Sequence, residues 1–183
     1  YSMDMTSFNL VKHDPDLVER IQVRDAKTLA EWAILCMGRV LPIFIDKHPN
    51  EDIPEIAIST LKAWINNDIK MWDAREYCYT ILERARTLEK TDKVATLILR
   101  GISHMLATCH VKTHSEGAAM YAVAALKEFH KQFGHCNVPN PYPANPRLSA
   151  WLKTQRVLYN KGQLVESRKT RLESIGIIWN QRE

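Results

Sequence analysis

Apolar residues recur along this chain at spacings of three and four, and no stretch shows the strict alternation of a half-buried strand. Leu29, Ala33, Cys36, Val40 and Phe44 mark a helix from about Asp25 to Asp46. Pro42 kinks or restarts it, because an interior proline removes a backbone hydrogen bond and presses on the preceding turn. A polar turn over Lys47–Asp52 follows. Pro54 then suits the start of a helix bearing Ile58, Leu61 and Ile65, which stops in the Asn66-Asn67-Asp68 cluster. Ala74, Cys78, Ile81, Ala85 and Leu88 predict the next helix, ending near Lys90. Ala95, Ile98, Leu99, Ile102, Leu106 and Cys109 predict another. Thr113-His114-Ser115-Glu116 has the form of a capping box, with Thr113 as N-cap and Glu116 reaching back. A fresh helix is expected from there, burying Ala119, Val123, Leu126, Phe129 and Phe133.

The texture changes at Gly134. Pro139, Pro141, Pro143 and Pro146 fall close together, so His135–Asn145 reads as an extended loop. Asn145-Pro146 is a helix start, with the amide as N-cap and proline at N1. Leu148, Trp151, Leu152, Gln155 and Leu158 follow, and Gly162 ends that helix. A last short helix carries Leu172 and Ile175, with Gly176 at C′ and Ile177 placed for a Schellman ending. The fold class is therefore all-α. A bundle-like part over residues 1–117 precedes a small three-helix module over 118–183, and the two share the helix around 115–133.

Apolar residues make up 45% and charged residues 25% of the 183, an ordinary globular balance that excludes gross disorder. No apolar run approaches the roughly 20 residues of a membrane span, so the chain is expected to be soluble and cytoplasmic, with no membrane partner. It opens Tyr1-Ser2-Met3, so Met3 is read as the natural start behind two added residues. Cys36, Cys78, Cys109 and Cys136 form no CxxC pair, and the first three fall on apolar stripes as reduced thiols would. The net charge of +4 conceals a split. Residues 1–117 carry 15 Lys and Arg against 17 Asp and Glu, a net −2, whereas residues 118–183 carry 10 against 4, a net +6. Any polyanionic partner is thereby assigned to the last third.

The string Phe129-His130-Lys131-Gln132-Phe133-Gly134-His135-Cys136-Asn137-Val138-Pro139 resembles the opening of the helicase-associated domain, a small three-helix module. Leu148, Trp151, Gln155-Arg156, Tyr159, Gly162, Leu164, Arg168, Leu172, Ile175-Gly176 and Trp179 continue the resemblance. Ser149 and Ile177 stand where that family usually has glycine and phenylalanine. The resemblance implies nucleic-acid binding. Lys153, Arg156 and Asn160 share one helical face, and Arg168, Lys169 and Arg171 cluster on the next helix. With Lys161, these cations are the candidate phosphate contacts; a merely solvated basic face is the plain alternative. Trp151, Tyr159 and Trp179 have the chemistry to stack on bases, but their place on apolar stripes favours core packing.

Further upstream, Val40-Leu41-Pro42-Ile43-Phe44, Pro54, Ala57-Ile58, Ala63-Trp64 and Asp73-Ala74-Arg75 lead to His110-Val111-Lys112-Thr113-His114-Ser115-Glu116-Gly117-Ala118-Ala119-Met120-Tyr121-Ala122. Over about residues 25–126 these strings resemble a family of immunity proteins of bacterial toxin systems. Such a protein occludes a toxin, so the resemblance implies a binding surface in place of a catalytic centre. His104, His110, Thr113 and His114 are the candidate polar site. No metal is assigned to it, because His104 and His110 are six residues apart and the cap at Thr113 separates His110 from His114. Glu51-Asp52 are expected to be solvated in their turn. No GxSxG, GxxxxGK[ST], HExxH or GxGxxG string occurs, and no cofactor is implied. The sequence thus favours a non-enzymatic binding protein, with a protein–protein adaptor or toxin inhibitor lacking any nucleic-acid role as the alternative.

Overall fold

A computed structural model describes residues 15–135, 146–174, 177 and 179, the side chains of 146–152, 171 and 174 excepted. In chain order the helices are α1 (Pro15–Gln22), α2 (Ala26–Met37), α3 (Leu41–Lys47), α4 (Ile53–Ile65), α5 (Met71–Leu88), α6 (Lys93–Ala107), α7 (His114–Phe133), α8 (Pro146–Asn160) and α9 (Glu166–Ser174). No strand occurs among the described residues, and the fold is all-α.

The helix ends follow from local chemistry. The Asp25 carboxylate accepts from the amides of Lys27 and Thr28 and starts α2. Pro42 restarts the chain instead of merely kinking it. After the turn at 38–40 it occupies the first turn of α3, where its missing N–H costs nothing, and α3 leaves α2 at 50°. Asn67 takes the left-handed conformation (φ 66°) beyond α4, and its side-chain oxygen accepts from Lys27 Nζ at 2.7 Å. The Lys70 amide donates to Asp73 and opens α5. Gly134, at φ 74°, ends α7 with its amide on the His130 carbonyl. The amide of Ile177 donates to the Leu172 carbonyl, the six-to-one bond of a Schellman ending; Gly176 lies outside the described residues.

Helix α6 decides the architecture. Twelve of its 15 residues are buried, and only a narrow stripe of Lys93, Arg100 and His104 reaches the surface, so it must be enclosed. Helices α2, α3, α4, α5 and α7 pack around it, with the most extensive contacts to α7 and α5. Leu97, Ile98, Leu99, Ile102, Met105 and Leu106 are all at most 3% exposed, and fully burying one such side chain is worth about 1.5–3 kcal/mol. At the head of α6 the buried Asp92 accepts from the Ala95 amide (3.0 Å), from Lys47 Nζ (2.7 Å) and from His48 Nε2 (3.0 Å). Burial pushes its carboxyl up, but those hydrogen bonds outweigh burial and hold it below the usual carboxylate range.

Several expectations need correction. The buried face of α7 is Ser115, Glu116, Ala118, Tyr121, Ala122 and Ala125, whereas Val123 and Phe133 are largely exposed. Small residues won that face because they let α7 approach α6 closely; size alone was the wrong guide. Helix α1 carried no apolar pattern long enough to announce it, and it is held by one fully buried side chain, Ile21. Glu51 is not simply solvated, since Arg84 holds it through both Nε and Nη2. Cys78 and Cys109 are buried free thiols, and Cys36 is half-buried; Cys136 lies outside the described residues. Among the described residues no single helix is long and apolar enough to cross a membrane; the bent pair α2–α3 passes by length and composition together. The boundary drawn between 117 and 118 falls in the first turn of α7, which runs unbroken for 20 residues.

An unbroken, half-enclosed α7 predicts that Ala124→Pro costs about 3 kcal/mol or more. For a chain of this length that is a fall in Tm of roughly 6–12 °C, measured by thermal melting. A fall under about 2 °C would mean that the two ends of α7 are built independently.

Candidate functional site

The chain reverses between α6 and α7 through residues 108–113, and three imidazoles meet at that corner. His104 comes from the last turn of α6, His114 is the first residue of α7, and His110 lies in the corner itself. The Nδ1 atoms of His104 and His114 are 3.0 Å apart, so one ring donates and the other accepts, and the two neutral imidazoles carry opposite tautomers. Their ring centroids are 4.9 Å apart, those of His110 and His114 are 5.1 Å apart, and Tyr121 lies 5.2 Å from His104. Gly117, one turn into α7, faces His104 so closely that any Cβ there would collide with the imidazole. The corner is braced by Ser115 Oγ, which donates to the Lys112 carbonyl at 2.6 Å. Lys112 Nζ in turn donates to the carbonyls of Gln22 and Arg24 at the end of α1.

These rings are held neutral. Burial, seconded by the His114 charge, pushes His104 down to about 4. Burial and the neighbouring His110 lower His114, and burial with the Arg75 guanidinium lowers His110. The Nδ1 of His110 is buried without a hydrogen-bond partner. Nearby, burial pushes the Cys78 and Cys109 thiols up to about 11, which leaves them poor nucleophiles at neutral pH. His104 and His110 make no ring contact with each other among the described contacts, but each meets His114. The capping box is also absent. Thr113 has helical backbone angles (φ −67°, ψ −15°) and makes no side-chain cap bond, and Glu116 is buried against the bundle. Among the described residues no group of three or more His, Cys, Asp or Glu is arranged to hold a metal ion. The hint available in the sequence was Gly117 and Tyr121 one and two turns beyond His114, on the side of α7 that meets α6.

The basic module has a different character. Lys153 and Lys161 are exposed on α8 and just beyond it, and Arg156 is half-buried. Arg168 reaches the buried Gln155 at 3.5 Å, and Lys169 pairs with Glu166 at 3.3 Å. That carboxylate raises the Lys169 amine above its ordinary value. Arg171 belongs to α9, but its side chain, like that of Trp151, lies outside the described residues. Tyr159 and Trp179 stack on each other, with centroids 4.2 Å apart and planes 6° from parallel, and Trp179 Nε1 donates to Glu173. The two aromatics therefore satisfy one another.

Two family models match the sequence. The one described as Imm-5 like putative immunity protein matches residues 19–139, and the one described as Helicase associated domain matches residues 120–180. They overlap over 120–139, which takes in most of α7. No curated protein and no solved structure matches the chain.

The corner makes acid stability testable. His104 accepts its proton near 6.5 when unfolded and near 4 when folded, so its stabilisation is complete above pH 6.5 and is lost as pH falls towards 4. The loss reaches about 3 kcal/mol, read from urea midpoints between pH 7 and 4. His104→Gln should flatten that slope, while Asp92, with its lowered pKa, contributes only at lower pH. An unchanged slope in the variant would place the acid sensitivity elsewhere.

Proposed function

The chain belongs to the Imm-5 like putative immunity protein family and carries a helicase associated domain, and from that premise we propose that it is a non-enzymatic binding protein whose C-terminal module engages nucleic acid. The observation that carries this reading is the charge split: residues 118–183 hold 10 Lys and Arg against 4 Asp and Glu, while residues 1–117 are slightly acidic. Lys153 and Lys161 stand exposed for phosphate contact, and neutralising phosphates releases counterions with a gain that falls with salt. Because Tyr159 and Trp179 are stacked on each other, the contact is to phosphates more than to bases, and it is weakly sequence-dependent. The N-terminal bundle, in the manner of its family, contributes a surface for a protein partner of the toxin type, and the cytoplasm is the setting.

One observation favours a second reading, an adaptor or toxin inhibitor without nucleic acid. Arg168 and Lys169 have partners inside the module, Gln155 and Glu166, so part of the basic excess is structural.

Filter binding of a random-sequence duplex decides between them. The first reading predicts binding at about 50 mM salt that weakens steeply by 200 mM. Lys153→Gln with Lys161→Gln should reduce the slope of log K against log salt by about 2. Absence of binding to duplex and single strand at about 50 mM salt leaves only the second reading.

A further inference from the structure

Helices α1 and α2 diverge to leave a cleft of about 270 Å³ that is neither part of the histidine corner nor of the basic module. Its floor is apolar: Ile21 and Leu29 are 2% and 5% exposed, with Leu17 and the half-buried Trp32 beside them. Its rim carries two cations, Arg20 and Arg24, four residues apart and both exposed. Among the described residues neither guanidinium has an ion pair or hydrogen bond, whereas Arg84 and Arg100 each hold a carboxylate. The carboxylate at the edge, Asp25, is committed to the start of α2, where it binds the Lys27 and Thr28 amides and the Thr28 hydroxyl.

Two such cations on the rim of one cleft repel, and the half-buried Leu17 and Trp32 lining it leave apolar surface in water. One kind of occupant relieves both: an apolar body that fills the cleft, flanked by carboxylates that meet the guanidiniums bidentately. Arginine and tryptophan around a pocket are also the residue types that dominate protein interfaces. The cleft is too small for more than one or two side chains, which fits an anchor from a larger partner. We propose that the α1–α2 cleft is the socket in which a protein partner seats an apolar side chain flanked by acidic ones. The proposal rests on reading the N-terminal bundle as a partner-binding domain, and it does not depend on nucleic-acid binding by the C-terminal module.

Fluorescence anisotropy on the full chain tests it, using a fluorescein-labelled peptide of Glu-Glu-Phe-Leu-Glu-Glu and the same peptide with Gln in place of each Glu. The acidic peptide should bind saturably, and its affinity should fall about tenfold or more for the Gln peptide and for the Arg20→Gln/Arg24→Gln double variant. Both arginines are exposed, so that variant should melt like the parent; it should also bind duplex DNA like the parent. Loss of duplex binding with peptide binding intact would count against the C-terminal reading alone. No saturable binding, equal affinity of parent and double variant, or complete displacement by an equimolar amphiphilic carboxylate such as octanoate would overturn the socket.

Discussion

Everything described here depends on enclosing α6. A helix with 12 buried residues out of 15 cannot stand in water, so five other helices are recruited to cover it. Each end of that helix is fixed by polar chemistry that favours one charge state. At the head, Asp92 must be ionised to hold the Ala95 amide, Lys47 and His48. At the tail, the Nδ1 atoms of His104 and His114 are 3.0 Å apart and share a single hydrogen, so at least one ring must be neutral, and burial favours the neutral form of both. Protonating both would place two cations in a buried corner, where unpaired charge is most costly. The bundle is thus pinned between a buried anion and a buried neutral pair, and neutral pH suits both.

The same constraint explains why α7 looks as it does. To lie close on α6 it presents alanines and one tyrosine, Ala118, Tyr121, Ala122 and Ala125, and it begins with Gly117 against an imidazole ring. Past Ala125 the half-buried Leu126 and Phe129 still pack on the core, Glu128 pairs with Lys93 of α6, and the helix ends in the Phe129–Phe133–His135 aromatic group. The two family matches overlap from residue 120 onward, across most of α7. One rigid helix is therefore both the last wall of the immunity-type bundle and the first element of the helicase-associated module.

Much of this was legible in the chain. Periodicity located the helices from α2 to α9, and the prolines and glycines marked their ends, because those signals are local. The buried face of α7 was not legible: Val123 and Phe133 are larger and more apolar than Ala118 and Ala122, and only the distance to α6 reveals why the small residues face inward. The histidines of the corner are legible as a candidate polar group, but their geometry is not: spacing along the chain cannot show that the reversal at 108–113 carries His110 to within ring contact of His114. Glu51 and Arg84 are 33 residues apart, and nothing local could have paired them. The basic excess is visible in the sequence, but only the structure shows that Arg168 and Lys169 have partners within their own module.

Amide hydrogen exchange at neutral pH tests the central claim, that α6 and the first half of α7 form one unit locked by the corner. The account predicts that amides of residues 97–107 and 118–125 exchange with a single shared opening free energy, equal to that of global unfolding. If residues 118–125 instead exchange through an easier local opening while α6 stays protected, α7 is a detachable flap and the corner is not the lock described here.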